Sequence, residues 1–211
     1  MREAEENKER FDEISKDWDK KSRRNQLAER VFEAISNRYR LSTYQRALEF
    51  GCGTGLLTMQ MAERLGHITA CDVSPKMLDQ LRAKIREKNL SHIDVYERDI
   101  ASEPFDETFD FVFSSMTMHH IGDTKRLLAY LYRVLQPSGK MAIADLDQED
   151  GFFHEHVHGV MHNGFSRNDL EPMLKEAGFV NIQFNDVHSI EKEDASGRLK
   201  SYGVFLLTAE K

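Results

Sequence analysis

The most constraining feature of the chain is a glycine-rich turn, Gly51-Cys52-Gly53-Thr54-Gly55, which directly follows the short apolar segment 46–50. Apolar residues recur at helical spacing through 56–65, so the turn joins a strand to a helix. Glycines at such a junction let the backbone approach a ligand closely, and the free N–H groups of a helix N-terminus favour a negatively charged group. The dinucleotide fingerprint requires a third glycine where this chain has Leu56, so a nicotinamide cofactor is disfavoured.

Segments with strand character alternate with helical segments along most of the chain. The predicted strands are residues 46–50, 67–71, 92–97, 109–113, 140–144, 180–184 and 202–209, and predicted helices include 75–88, 124–135 and 168–177. Such alternation is typical of βαβ units around a parallel sheet, whereas the last two strands follow each other as an antiparallel pair. We therefore predict an α/β fold with a doubly wound, seven-stranded, mostly parallel sheet and helices on both faces. The polar stretch 188–200 is predicted to be a turn region.

Composition limits the class of protein and its compartment. The chain has 211 residues, a net charge of −7 and two cysteines. This length suits one domain, and the scarcity of cysteine excludes a disulfide framework and fits the cytoplasm. We expect no membrane span, because no apolar run has the required length, and no signal peptide, because the first residues are highly charged. The acidic balance argues against a nucleic-acid partner.

Asp72 is the second candidate for ligand binding. It ends the predicted strand 67–71, and in a doubly wound sheet its carboxylate would lie beside the glycine turn. A carboxylate at this position can accept hydrogen bonds from two ribose hydroxyls. It can also simply cap the following helix, which Ser74 and Pro75 are suited to begin, and the two roles are compatible.

Several segments together resemble the class I S-adenosylmethionine-dependent methyltransferases, and most of all the branch that includes the quinone-biosynthesis C-methyltransferases. The matching segments are Glu49-Phe50-Gly51-Cys52-Gly53-Thr54-Gly55, 72–78, Asp99-Ile100, 109–112 and 118–121, with Phe11, Asp12, Ile14, Trp18 and Asp19 similar to that branch's N-terminal lid. The resemblance covers nearly the whole chain. It implies a Rossmann-like methyltransferase fold in one domain, with a helical lid over 1–40, a cofactor-binding half over 41–145, and a substrate-side half with the closing antiparallel strands over 146–211.

The same resemblance implies which residues bind S-adenosyl-L-methionine. They are Trp18, Glu49, Gly51, Cys52, Gly53, Gly55, Asp72, Val73, Met77, Asp99, Ile100, Ser114 and His119. The glycine turn, Glu49 and Ser114 would face the amino-acid end of the cofactor, and Asp72 would hold its ribose. Asp99 and Ile100 would face the adenine, and Trp18 would close over the cofactor from the lid. For Val73 and Met77, ordinary core packing explains the residue types equally well.

Histidines are the candidates for the chemistry on the methyl acceptor, because their charge changes near neutral pH. His119 and His120 follow the fourth predicted strand, and His154, His156, His158 and His162 form a second cluster after the fifth. We expect His120, His158 and His162 to be catalytic, and a general base is needed only if the acceptor must lose a proton. The second cluster could instead bind a metal through i,i+4 pairs or have no role. We predict no metal site, because Gly159 weakens a helix there.

The function expected from the resemblance is methyl transfer from S-adenosyl-L-methionine to a small organic acceptor. Two alternatives stay open: a protein or RNA methyltransferase, and a regulatory protein that binds the cofactor without catalysis. A pocket plugged by the segment 152–165 would favour the regulatory protein. The sequence does not identify the acceptor.

Overall fold

A computed structural model gives the fold of residues 2–154, 159–193 and 197–211, with side chains described from residue 8 onward. The helices are α1 (Arg2–Ile14), α2 (Ser22–Arg38), α3 (Thr58–Met61), α4 (Pro75–Glu87), α5 (Thr124–Val134) and α6 (Arg167–Ala177). The strands are β1 (Arg46–Phe50), β2 (His67–Asp72), β3 (Ile93–Glu97), β4 (Phe109–Ser115), β5 (Leu135–Leu146), β6 (Val180–Glu193) and β7 (Leu199–Glu210). Short 3₁₀ turns cover Ser15–Asp17 and Met118–His120.

The strands form one seven-stranded sheet in the order β3-β2-β1-β4-β5-β7-β6. The first five strands pair in parallel, and β7 pairs antiparallel with both β5 and β6. The predicted fold class is therefore confirmed. The chain leaves β1 toward β2 on one side and later returns to place β4 on the other. Ligands of open α/β sheets bind beyond the carboxyl ends of the strands at such a switch point.

Both faces of the sheet are buried. Side chains of α2, α3 and α4 pack on one face, and those of α5 and α6 pack on the other. Successive residues of β4 alternate between these cores, with Phe111 and Phe113 on the first face and Val112 on the second. A strand buried on both faces needs this nearly continuous apolar sequence, which explains the segment 109–113. Among the described residues, no helix is both long and apolar enough to cross a bilayer.

Several element boundaries differ from the sequence prediction, and β5 in particular begins at Leu135 instead of residue 140. The helical pattern over 56–65 becomes the four-residue helix α3 between turns. The stretch 188–200, predicted as a turn region, instead extends β6 to Glu193 and starts β7 at Leu199. The alternation typical of a strand is hard to recognise in this stretch, because most of its residues are charged or polar. Mainly Ile190 and Tyr202 point toward the core.

Candidate functional site

A cavity of about 500 Å³ lies at the switch point, beyond the carboxyl ends of β1, β2 and β4. The glycine turn and the last residues of these strands form its floor. Residues of α1 and α2, the 3₁₀ turn Met118–His120, the segment around His154 and the strand β6 form its other walls. The volume lies within the range of about 300–1,000 Å³ that is usual for small-molecule sites.

The three positions of the turn require glycine for different structural reasons. All have a positive φ, which side chains other than glycine rarely adopt. A Cβ on Gly51 would lie 2.0 Å from Oγ1 of Thr117, and a Cβ on Gly55 would lie 2.3 Å from Cδ1 of Leu81. A Cβ on Gly53 would meet nothing within 4 Å and would enter the cavity, so this glycine keeps space open for a ligand.

The Asp72 carboxylate lies at the edge of this turn and lines the cavity. Its Oδ2 accepts the N–H of Gly53 at 2.8 Å, and its Oδ1 accepts the N–H of Ser74 at 2.9 Å. Each oxygen therefore keeps acceptor capacity after its backbone bond is made. Burial is the main cause of a raised pKa for Asp72 in the absence of a ligand. The carboxylate is thus fixed by the backbone and still able to accept two further donors.

Glu49, at the end of β1, is an acid buried in the wall of the cavity. Its side chain is 2% exposed, and its Oε2 has no hydrogen-bond partner. Burial, with a further contribution from the Asp72 charge, raises the pKa of Glu49 to about 8. An unpartnered buried carboxylate oxygen is costly, and a cationic ligand group in the cavity would satisfy it.

Asp99, Ile100, Val73 and Met77 form the far end of the cavity. The Asp99 carboxylate is oriented by the N–H of Ala101 and by the hydroxyl of Ser102, each at 2.9 Å. Ile100 and Met77 are buried, so this end combines an apolar surface with one oriented acceptor. That combination suits a flat heterocycle with an exocyclic amino group.

The N-terminal segment docks against the glycine turn and closes one side of the cavity. Asp12 accepts the Ser74 hydroxyl at 2.6 Å, and Asp19 accepts the Thr54 hydroxyl at 2.6 Å. Trp18 lies over the cavity with the Arg24 guanidinium 3.4 Å from its ring centroid. Burial, together with the nearby Arg23, lowers the pKa of Arg24 to about 10, so it stays charged at neutral pH.

Three histidine side chains form a further part of the lining, the inner wall. His119 Nδ1 lies 2.6 Å from the buried Oδ1 of Asp145. His120 Nδ1 lies 3.1 Å from the carbonyl oxygen of Gly159, and since a carbonyl only accepts, this nitrogen carries the proton. The ring of His154 lies 4.9 Å from that of His119 and 5.7 Å from that of His120, measured between centroids.

Several predicted site residues lie elsewhere. Gly55 does not line the cavity, because it packs on α4. Ser114 lies inside β4, not after it, and its hydroxyl donates to the carbonyl of Phe50 at 2.7 Å; the neighbouring Ser115 faces the cavity instead. His162 is also outside the lining, with Nε2 bound to the carbonyl of Ile121 at 3.0 Å. The structure therefore places Gly55, Ser114 and His162 outside the cavity lining.

The remaining predicted residues all line the cavity, except that His158 lies outside the described residues. The lining includes Trp18, Glu49, Gly51, Cys52, Gly53, Asp72, Val73, Met77, Asp99, Ile100, His119 and His120. The cavity is also lined by Arg10, Arg24 and Thr117, which were not expected from the sequence. Arg10 directly precedes Phe11 of the segment that resembles a lid, which is the signal that could have identified it.

Comparisons with known proteins agree with this fold. Residues 47–139 match the family described as a methyltransferase domain. A methyltransferase of Schizosaccharomyces pombe is 31% identical over 156 residues, which cover 64% of this chain and 54% of the relative. The biotin biosynthesis bifunctional protein BioCD of Bordetella avium is 38% identical over 148 residues, covering 68% of this chain and 30% of the relative. Demethylmenaquinone methyltransferase of Listeria welshimeri is 33% identical over 105 residues, covering 48% and 44%.

A solved structure of similar fold is phosphoethanolamine N-methyltransferase 2 of Haemonchus contortus in complex with S-adenosyl-L-methionine. It has 19% sequence identity and a TM-score of 0.69, and the match covers 85% of this chain and 52% of that one. Residues 47–139 are therefore similar to a methyltransferase domain, and the fold is similar to that of the Haemonchus enzyme. The chain is similar in sequence to BioCD and to demethylmenaquinone methyltransferase, but it spans only about a third to a half of the length of the curated relatives described here.

Proposed function

We propose that the protein binds S-adenosyl-L-methionine in this cavity and transfers its methyl group to a small organic acceptor. The observation that carries the proposal is the Asp72 carboxylate, which lines the cavity beside the glycine turn while backbone N–H groups of Gly53 and Ser74 hold both oxygens. The unpartnered oxygen of Glu49 and the open space next to Gly53 fit the same ligand. When bound, the cofactor supplies an activated methyl group on a sulfonium sulfur.

The polar groups of the cavity match the polar groups of the proposed cofactor. Asp72 would accept the ribose hydroxyls, Asp99 would accept the adenine amino group, and Glu49 would pair with the ammonium group. The remaining cofactor charge is a carboxylate, for which Arg10, Arg23 and Arg24 are cations in the lid part of the lining. Arg10 makes no hydrogen bond or ion pair with any described residue, and its Nη1 is buried without a partner. A carboxylate on Arg10 would therefore relieve an existing cost.

The acceptor would lie between the glycine turn and the histidine wall. Phe153, His154 and Met161 line this part of the cavity and leave it open, which argues against a plugged, purely regulatory site. Methyl transfer requires mainly that the acceptor atom be held in line and that water be excluded, and alignment can contribute about 7–11 kcal/mol. His120 is our candidate for orienting the acceptor through a hydrogen bond when no other group occupies its Nε2, since its Nδ1 donates to a carbonyl and its Nε2 can accept.

A small acceptor and a cytoplasmic location are the finer parts of the proposal. The lining is enclosed by lid residues, which suits a small molecule better than a nucleic acid or a protein segment. Both cysteines are free and buried, which fits a reducing compartment. We also infer that residues 1–40, 41–145 and 146–211 act as lid, cofactor-binding half and acceptor side of one domain.

The first experiment is calorimetric binding of S-adenosylhomocysteine. We expect one site per chain, and we expect Asp72→Ala to weaken binding at least tenfold. Asp94→Ala is the matched control, because Asp94 lies on the neighbouring strand β3, is mostly exposed and is outside the cavity. Equal affinity of wild type and Asp72→Ala would remove the ribose assignment. A screen of small acceptors with S-adenosylhomocysteine formation as the readout then tests catalysis.

A further inference from the structure

The three histidines of the inner wall have the arrangement of a metal site. One nitrogen from each of His119, His120 and His154 can be chosen so that all three lie within 4.8 Å of one another. The sequence analysis considered metal binding only through pairs within 154–162. The structure instead brings His154 to His119 and His120, which belong to the 3₁₀ turn after β4.

The His119 ring is oriented like a metal ligand. Its Nδ1 is hydrogen-bonded to Asp145, whose side chain is fully buried in β5, and the His119 backbone N–H donates to the second oxygen of the same carboxylate at 3.2 Å. The other ring nitrogen, Nε2, is buried and has no hydrogen-bond partner. A carboxylate on one nitrogen fixes the tautomer that leaves the other nitrogen free to bind a metal.

The other two rings also present free nitrogens. His120 donates from Nδ1 to the carbonyl of Gly159, so its Nε2 carries a lone pair. His154 Nδ1 is buried without a partner. The rings of Phe11 and Phe153 cover His120 and His154 edge-on.

We propose that His119, His120 and His154 bind one divalent transition-metal ion, with Zn²⁺ as the first candidate, and that Asp145 supports His119 as an outer partner. Imidazole nitrogens suit such ions. Three nitrogens at about 2.0–2.1 Å from Zn²⁺ would lie ~3.3 Å apart, so the nitrogens that now lie within 4.8 Å of one another need to approach by ~1.5 Å at most. The fourth position faces the cavity and is left for water or for the acceptor.

This position would give the ion a chemical role. A bound divalent ion lowers the pKa of a coordinated water, hydroxyl or thiol, and so yields an anionic oxygen or sulfur near neutral pH. An acceptor of this class would then need no protein base. That role rests on the proposed methyl transfer, whereas metal binding by the three histidines does not.

The test is direct metal titration of the untagged, metal-free full chain. Zn²⁺ is titrated in competition with a chromophoric chelator, and Co²⁺ is added separately to record its visible absorption. We expect one equivalent of Zn²⁺ per chain and a Co²⁺ spectrum of low coordination number. His119→Ala and His154→Ala should each weaken Zn²⁺ binding at least 100-fold, and Asp145→Asn should weaken it about 10- to 100-fold. His188→Ala is the matched control and should stay within twofold of wild type, since His188 is outside the cavity.

His154→Ala is the decisive variant. His119 and Asp145 are buried, so their substitution can damage the fold, whereas His154 is only partly buried in a connecting segment. Retained S-adenosylhomocysteine affinity in His154→Ala would show that the cofactor site is intact. Substoichiometric Zn²⁺ binding, or affinity that His154→Ala leaves unchanged, would overturn the metal site without affecting the proposed function. If the wild-type protein does not bind S-adenosylhomocysteine, the proposed function is overturned, whereas the metal site is not affected by that result.

Discussion

Glu49 provides a quantitative prediction, because its ionisation should depend on the ligand. In the ligand-free cavity its pKa is raised to about 8, mainly by burial. At pH 7 a carboxyl group of that pKa is ~90% protonated. An ammonium group beside Oε2 favours the charged form and should return the pKa toward its usual value of 4.5. Binding at pH 7 should then release ~0.9 proton from Glu49, whereas binding at pH 9 should release ~0.1.

The assay is calorimetry of S-adenosylhomocysteine binding in buffers of different ionisation enthalpy. The slope of the observed enthalpy against the buffer enthalpy gives the number of protons released. Glu49→Gln keeps the shape but cannot ionise, so the slope at pH 7 should fall by ~0.9 proton relative to wild type. A change in the Glu49 pKa from about 8 to 4.5 corresponds to ~5 kcal/mol of interaction between the ligand's ammonium group and the charged carboxylate. Glu49→Gln should therefore lose a large part of the cofactor affinity. Identical slopes in wild type and Glu49→Gln would refute the assignment.

The glycine turn and Glu49 give three further predictions. Gly53→Ala should cost only ~1–2 kcal/mol in the free energy of unfolding, because the methyl group meets no atom, yet it should weaken S-adenosylhomocysteine binding at least tenfold; unchanged binding would remove Gly53 from the site. Gly55→Ala should lower the free energy of unfolding, measured in urea, by ~2–4 kcal/mol, because its Cβ would clash with Leu81. Gly197→Ala should cost less, because Gly197 has a similar φ and open space around it. Equal losses in the two variants would contradict the packing role of Gly55. Because folding raises the pKa of Glu49, its contribution to the free energy of unfolding is complete below about pH 4.5 and is lost as pH rises to about 8, by at most ~5 kcal/mol. In urea denaturation of the ligand-free protein, Glu49→Gln should remove this dependence of stability on pH. An equal pH dependence in wild type and Glu49→Gln would contradict the prediction.

The central strands and the residues that line the cavity around the glycine turn were predictable because they depend on local patterns. The apolar segment before Gly51, the glycine spacing and the acid that ends β2 are each visible locally in the sequence. The parallel sheet then brings the carboxyl ends of β1 and β2 together. The long hairpin of β6 and β7 was not predictable in full. Its outer residues are charged, and only the alternation of Ile190 and Tyr202 signals the buried face.

The errors within the site come from contacts that spacing does not encode. Gly55 differs from Gly53 because Leu81 of a later helix occupies the space beside it. Ser114 and Ser115 differ by one residue of strand alternation, which a strand boundary predicted two residues short could not assign. The meeting of His154 with His119 depends on how the connecting segment after β5 folds back, and no periodicity in that segment indicates it.

The most direct test of the account is a crystal structure of the protein with S-adenosylhomocysteine. The account predicts both ribose hydroxyls within ~3.2 Å of the Asp72 carboxylate oxygens and the ligand's amino group beside Oε2 of Glu49. A nucleoside bound away from the glycine turn, or with its ribose remote from Asp72, would contradict it.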